Sequence, residues 1–223
     1  MIKNKIPLKR NIAFIHVPRT AGTFVNGYLS QKIFLKNNYC ILNSWKTMQR
    51  DWSTHELLSF LAKGSQIKYV HNHKENWPKE IITQYKKEKW FTFSFIRHPG
   101  DRLCSVYYKW EIEKKKEAKT LNEFLKKSFT EGLPQEKDST IPEYWKEIDF
   151  IDEFTPKNFA KFLKDFFNHE YESTYPVNTT ENKGYEYYRD RGEITDEVDT
   201  LMKKSSQYKI YQKIKEKKKR SFW

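Results

Sequence analysis

Residues 12–24 read Ile-Ala-Phe-Ile-His-Val-Pro-Arg-Thr-Ala-Gly-Thr-Phe, and this stretch decides the fold. From Ile12 to Val17 it is almost continuously apolar. That is the pattern of a strand buried on both faces, as in a parallel sheet. Pro18 ends the strand. A turn of small residues follows, Thr20-Ala21-Gly22-Thr23, and then Phe24, Val25, Tyr28 and Leu29 repeat at helical spacing. A strand feeding a tight loop and a helix leaves backbone N–H groups pointing out of the first helical turn, where the helix dipole adds partial positive charge. Gly22 permits close backbone approach, Thr20 and Thr23 supply hydroxyls, and Arg19 adds a fixed charge with a fork of donors. These features make a phosphate cradle. It is not a Walker A loop, because no Lys follows Gly22 and the pattern G-x-x-x-x-G-K-[ST] is absent.

A second segment, FIRHPGDRLCSVYY at residues 95–108, repeats the design. Residues 90–96 predict a strand, Pro99 and Gly100 turn the chain, and Asp101 reads as the N-cap of a helix. Leu103, Val106, Tyr107 and Trp110 mark its apolar face, while Arg102, Ser105 and Lys109 lie on another. Arg97 at the strand end, with Arg102 and Ser105 on the helix, can converge on one phosphate through charge-assisted bonds. The alternative is an Arg–carboxylate pair beside a solvent-facing Ser.

Working outward, residues 67–71 predict a further short strand, and His71 and His73 lie two apart at its end. If the strand continues, both face one side. A helix is expected around Leu121 to Phe129, followed by an acidic, aromatic segment, EYWKEIDFIDEF. Thr155-Pro156 is a helix start whose buried stripe is Phe159, Phe162, Leu163 and Phe166. Residues 172–193 are rich in turn formers. Thr195 caps a last helical region with Val198, Leu201, Met202, Tyr208, Tyr211 and Ile214 mostly inward, and a charged tail starts at about residue 213. Strands alternating with helices predict an α/β three-layer sandwich around a central, mostly parallel sheet. The cradle after the first strand makes it a P-loop-like nucleotide-binding architecture. Ligands in such sheets sit beyond the carboxyl ends of the strands, the edge where both segments put their loops.

The 223 residues suit a single domain, 1–223, and are enough to bury a real core. A hydrophobic fraction of 37% with 17% aromatics argues against disorder. The formal net charge of +13 attracts polyanions. Nucleic acid, anionic lipid, a phosphorylated cofactor and an anionic polysaccharide all satisfy it, and solvated Lys also serves solubility alone. Two cysteines, Cys40 and Cys104, offer neither a disulfide framework nor a metal cage. With no long apolar stretch near the N-terminus and no window of spanning length, the expectation is a cytoplasmic protein without a membrane span.

Taken together, the two segments resemble the cofactor-binding signatures of sulfotransferases that use 3′-phosphoadenosine-5′-phosphosulfate (PAPS), most of all the carbohydrate and uronyl-type enzymes and their soluble bacterial relatives. The family's first signature, P-K-T-x-G-T-T/S after a strand, appears as Pro18-Arg19-Thr20-Ala21-Gly22-Thr23-Phe24. The second, R-x-P-x-x-R-x-x-S-x-Y/F, appears as Arg97, Pro99, Arg102, Ser105 and Tyr107 with every spacing kept. The resemblance implies that residues 19–24 grip the 5′-phosphosulfate and that Arg97 and Ser105 grip the 3′-phosphate. It also implies that Lys183-Gly184, in PVNTTENKGYEYY, closes over the nucleotide. By the same resemblance His73 is the base that deprotonates the acceptor hydroxyl and His71 positions the acceptor, while His16 and His98 support the cofactor segments. Two departures stand out. Arg19 replaces the usual Lys, keeping the charge but not the ability to give up a proton, and Phe24 replaces a hydroxyl residue. The implied donor is PAPS, leaving as adenosine 3′,5′-bisphosphate (PAP), with no metal. The implied acceptor is a hydroxyl-bearing glycan or other small molecule, and no nucleic acid is expected. Two other readings stay open on the residues alone: a basic nucleic-acid-binding protein and a nucleoside-phosphate kinase with a divergent loop.

Overall fold

A computed structural model describes residues 10–37, 39–43, 67–73, 79–109, 120–131, 141–173 and 183–220. The chain forms two compact units, residues 1–95 with 142–177, and residues 96–141 with 178–223.

The first unit is built on a five-stranded sheet: β1 (Ile12–His16), β2 (Cys40–Asn43), β3 (Lys68–His73), β4 (Phe91–Ile96) and β5 (Phe150–Glu153), in the order β2-β3-β1-β4-β5. The pairs β1–β3, β1–β4 and β2–β3 are parallel. Phe14 registers with His71 on one side and Phe93 on the other. The period-2 alternation sorts side chains to the two faces. Ile12, Phe14, Tyr69, Phe91, Phe93 and Phe95 join one core cluster, while Ala13, Ile15 and Val70 join another.

Helices cover both faces, which is why the central strands read as unbroken apolar runs. Helix α1 (Gly22–Leu29) gives Phe24, Val25, Tyr28 and Leu29 to the first core. Helix α2 (Lys79–Lys87) gives Ile82 and Tyr85 to the second, where Tyr85 stacks on Trp90 at 4.4 Å. The expected Thr155-Pro156 start is present. Thr155 Oγ1 accepts the N–H of Asn158 at 3.0 Å, and Pro156 opens the helix α3 (Pro156–Phe162). Its Phe159 and Phe162, with Leu163 beyond, pack on Phe93, Phe95 and Phe150.

Expected strands at 67–71 and 90–96 correspond to β3 and β4. The short β2 and β5 and helix α2 are additional to the strands and helices that the sequence pattern predicts. The acidic, aromatic segment divides into a 3-10 turn at Glu143–Glu147 and β5.

The second unit starts at the last residue of β4 and is helical. Helix α4 (Pro99–Tyr107) and helix α5 (Leu121–Glu131) precede α6 (Tyr185–Asp190), α7 (Asp196–Lys204) and α8 (Ser206–Arg220). Its core joins Leu103, Val106 and Tyr107 with Phe124, Leu125, Tyr188, Val198 and Met202. Burial pushes the Cys104 thiol far above its ordinary range, so it is inert packing. Both cysteines are free. Residues 213–220, part of the stretch expected as a charged tail, form the last turns of α8, and Ile214 there is buried. Trp110, expected on the apolar face of α4, lies outside the described residues.

Candidate active site

In the first unit the loop between β1 and α1 has an unusual backbone. Arg19 and Ala21, neither a glycine, both adopt left-handed conformations, with φ of 67° and 62°. L-residues resist this region by roughly 1–2 kcal/mol each, and such strain collects at ligand clamps. Left-handed residues in a tight loop turn successive N–H groups inward to form an anion-binding nest. Ala21 is the N-cap residue of α1 and supplies no side-chain cap, so the helix's first N–H groups, from Gly22 on, are offered at its end. Thr20 is fully buried. Its Oγ1 donates to the carbonyl of Val17 at 2.6 Å, closing the loop on itself. Thr23 is exposed.

Phe24 lies inside the core, edge-on to Phe154, Phe159 and Tyr171. What Phe24 can present to an anion is therefore its backbone N–H. The hydroxyl absent at this position is exchanged for a ring that anchors α1 against Phe159 of α3 and its neighbours.

Gly22 proves to be a packing glycine. A Cβ there would fall 1.9 Å from Nε2 of His16 and 2.0 Å from its Cδ2. The imidazole of the last β1 residue is wedged over the first residue of α1. His16 is 6% exposed and His71 only 2%. Nδ1 of His16 and Nε2 of His71 share a hydrogen bond of 3.2 Å, and the rings stack at 5.1 Å. Phe14 packs on both. β3 does continue through His71 to His73, and His73 registers with His16. The side chain of His73 lies outside the described residues.

In the second unit Arg97 directly follows β4 and is half-buried. Helix α4 starts three residues earlier than an Asp101 cap would place it: His98 is the N-cap residue and Pro99 opens the helix. Pro at that position has no N–H to satisfy and a preset φ, so it takes over the start. Asp101, freed from capping, sits in the first turn, and its Oδ1 accepts the backbone N–H of Tyr185. This brings Lys183-Gly184 onto the first turn of α4, four residues after Arg97 in the sequence. Gly184 has φ of +94°, open only to glycine without strain, and a Cβ there would lie 3.0 Å from Asp101 Oδ1. The Lys183 side chain is exposed, and its N–H donates to Tyr188 Oη at 3.4 Å. Arg102 and Ser105 share one stretch of α4 as expected but are almost enclosed, 4% and 3% exposed.

Among the described residues no group of three or more His, Cys, Asp or Glu could hold a metal ion, and no helix is long and apolar enough to cross a membrane.

A central sheet whose first strand passes through a nest into a helix N-terminus defines a P-loop-like α/β protein. More narrowly, the chain belongs to the sulfotransferase family, whose match runs over residues 6–186 and so takes in both signature segments and Lys183-Gly184. Membership makes it a sulfuryl-transferring enzyme, in preference to the kinase and nucleic-acid readings. No curated protein matches the chain. Among solved structures, mouse sulfotransferase SULT7A1 complexed with PAP is similar at 15% identity, over 95% of this chain and 90% of that one, with a TM-score of 0.45.

Proposed function

We propose that this enzyme moves a sulfuryl group from PAPS to the hydroxyl of a carbohydrate or similar small acceptor by in-line displacement. The observation that carries the reading is the loop at residues 19–22. It keeps the Thr and Gly of the family's first signature, with Arg19 in place of the usual Lys, and bends two non-glycine residues into left-handed backbone, strain that a phosphate-binding nest accounts for.

PAPS supplies the sulfuryl group and leaves as PAP. Arg19, Thr20, Ala21, Gly22, Thr23 and Phe24 hold the 5′-phosphosulfate through backbone N–H groups, the Arg19 guanidinium and the exposed Thr23 hydroxyl. Arg97 and Ser105 hold the 3′-phosphate, and Lys183-Gly184 closes over the nucleotide. Arg19 stabilises charge developing on the departing phosphate and transfers no proton, since a guanidinium keeps its protons at any working pH. His73 takes the proton from the acceptor hydroxyl as the new oxygen–sulfur bond forms, a task suited to an imidazole near neutral pH. His71, enclosed and bonded to His16, positions the acceptor by fixing the end of β3. The chemistry rests on positioning and electrostatics and needs no metal. A cytoplasmic setting and a single functional domain over residues 1–223 complete the reading.

Thermal melting with PAP tests it. The ligand raises the Tm of the wild type, and Arg97→Ala abolishes the rise. Absence of any shift in the wild type at millimolar PAP sinks the proposal. A PAPS-dependent transfer assay over glycans, lipids and small alcohols, read by mass spectrometry, then identifies the acceptor.

A further inference from the structure

The second signature segment carries basic residues suited to a phosphate, Arg97 and Arg102, and between them one acid, Asp101. A carboxylate facing a bound phosphate would repel it, so its presence calls for an account. Helix α4 offers part of one, because a carboxylate in the first turn is favourable to the helix dipole. The rest lies in what the carboxylate holds. Oδ1 accepts the N–H of Tyr185, the first residue of α6. The same oxygen occupies the space where a side chain at position 184 would begin.

Tyr185 is itself fixed on three further sides. It is fully buried, and its ring covers Gly100, where a Cβ would lie 2.4 Å from the ring. The ring of His98 sits 5.7 Å away, and the Tyr185 hydroxyl donates to Asp199 at 3.4 Å. The backbone just before Tyr185 is therefore located by residues 98, 100 and 101, the N-cap and first turn of α4. That backbone is Lys183-Gly184.

We propose that Asp101 is a positioning residue for the 3′-phosphate of the donor, acting through Lys183. This rests on the PAPS reading above and deepens it. Asp101 spends its charge on the Tyr185 N–H instead of facing the ligand, and in doing so keeps the lysine at the start of α4. Such a residue governs affinity for the nucleotide and leaves the sulfuryl-transfer step alone.

The test measures PAP affinity by calorimetry for the wild type, Arg97→Ala, Asp101→Ala, Asp101→Asn, Lys183→Ala and the double variant Asp101→Ala/Lys183→Ala. Hydrogen–deuterium exchange at Tyr185 is followed alongside. Loss of one charge-assisted contact corresponds to about tenfold in affinity. Asp101→Ala is expected to weaken PAP about tenfold, raise KM for PAPS with kcat little changed, and speed exchange at the Tyr185 amide. Asp101→Asn keeps an acceptor oxygen and restores most of the affinity and the slow exchange. The double variant binds no more weakly than Lys183→Ala. Asp101→Ala binding PAP like the wild type, or losses at Asp101 and Lys183 that multiply, overturns the proposal while the PAPS reading stands. If the wild type binds no PAP and Arg97→Ala changes nothing, both fall.

Discussion

Replacing Gly22 by Ala should destabilise the protein, and removing the His16 ring should abolish or reverse that effect. The added Cβ would stand 1.9 Å from Nε2 of His16, against an ordinary contact of 3.4–4 Å. The ring must withdraw by about 1.5 Å to reach normal packing distance. It has nowhere to go, being 6% exposed and stacked on Phe14 and His71. Overpacking of this kind costs about 1–3 kcal/mol. Loss of the 3.2 Å His16–His71 bond adds about 1 kcal/mol. The sum, about 2–4 kcal/mol, lowers Tm by about 5–15 °C for a chain of this size. Backbone strain does not enter, since Gly22 is helical and absent from the positive-φ residues. In a His16→Ala background the clash is gone, and Ala is a better helix former than Gly by up to about 1 kcal/mol. There Gly22→Ala should be neutral or stabilising. Thermal or urea melts of the four proteins in the cycle measure this. An equal loss from Gly22→Ala in both backgrounds would refute the packing role of Gly22.

Three more outcomes are expected. Ala21→Gly relieves a left-handed alanine. Folded-state relief outweighs the added unfolded-chain entropy, so Tm rises by the equivalent of about 0.5–1 kcal/mol, and a lower Tm contradicts the assignment. In the first unit burial lowers the pKa of His169 below 6.5, with Lys36 and Lys32 in the same direction and Glu172 and Glu170 opposing. His169 bonds Tyr28 Oη at 3.2 Å. A depressed folded pKa contributes stability above the unfolded value that is lost as pH falls through the folded one, so His169→Gln should flatten the stability profile below pH 6.5; an unchanged slope counts against it. Arg19→Ala should cut kcat by about 10²–10³-fold, the scale of losing one preorganised charge at a leaving group. Arg19→Lys should keep most of it, and equal losses in both would remove Arg19 from the transition state.

The parts of the fold that could be read from the sequence are those where burial is symmetrical. β1 and β4 are enclosed on both faces along their whole length, and an enclosed strand advertises itself as an apolar run. β2 and β5 end the sheet order. They are four residues each, and edge strands are half-solvated, so Phe-Ile-Asp-Glu shows no run. Helix α2 buries Ile82 and Tyr85 within a nine-residue stretch whose other members, Ile81 apart, are polar, too thin a stripe to separate from a loop. The signature residues were legible because their spacing is local. The Asp101–Tyr185 bond spans 84 residues, and a Pro two residues earlier gave the only local sign that Asp101 was not needed as a cap.

The His16–Gly22 contact alters what the first signature means. Gly22 reads in sequence as the point where backbone can meet phosphate, yet the space beside its Cα is filled by a ring from the preceding strand. The second segment has the same arrangement, with the Tyr185 ring seated on Gly100 at the start of α4. In each unit, then, a helix start assigned to a phosphate has a glycine because an aromatic ring is packed against it. The conformational freedom an anion-binding loop requires is found elsewhere, in the left-handed backbone of Arg19 and Ala21. Rigid helix starts and a strained loop are complementary. Donors aimed at a phosphate gain from being held before it arrives, since less ordering is then charged to binding. Residues that look like ligand contacts in the sequence, Gly22 and Phe24 among them, therefore hold the site still, and under the proposed reading the side chains that reach the donor are those of Arg19, Thr23, Arg97, Ser105 and Lys183.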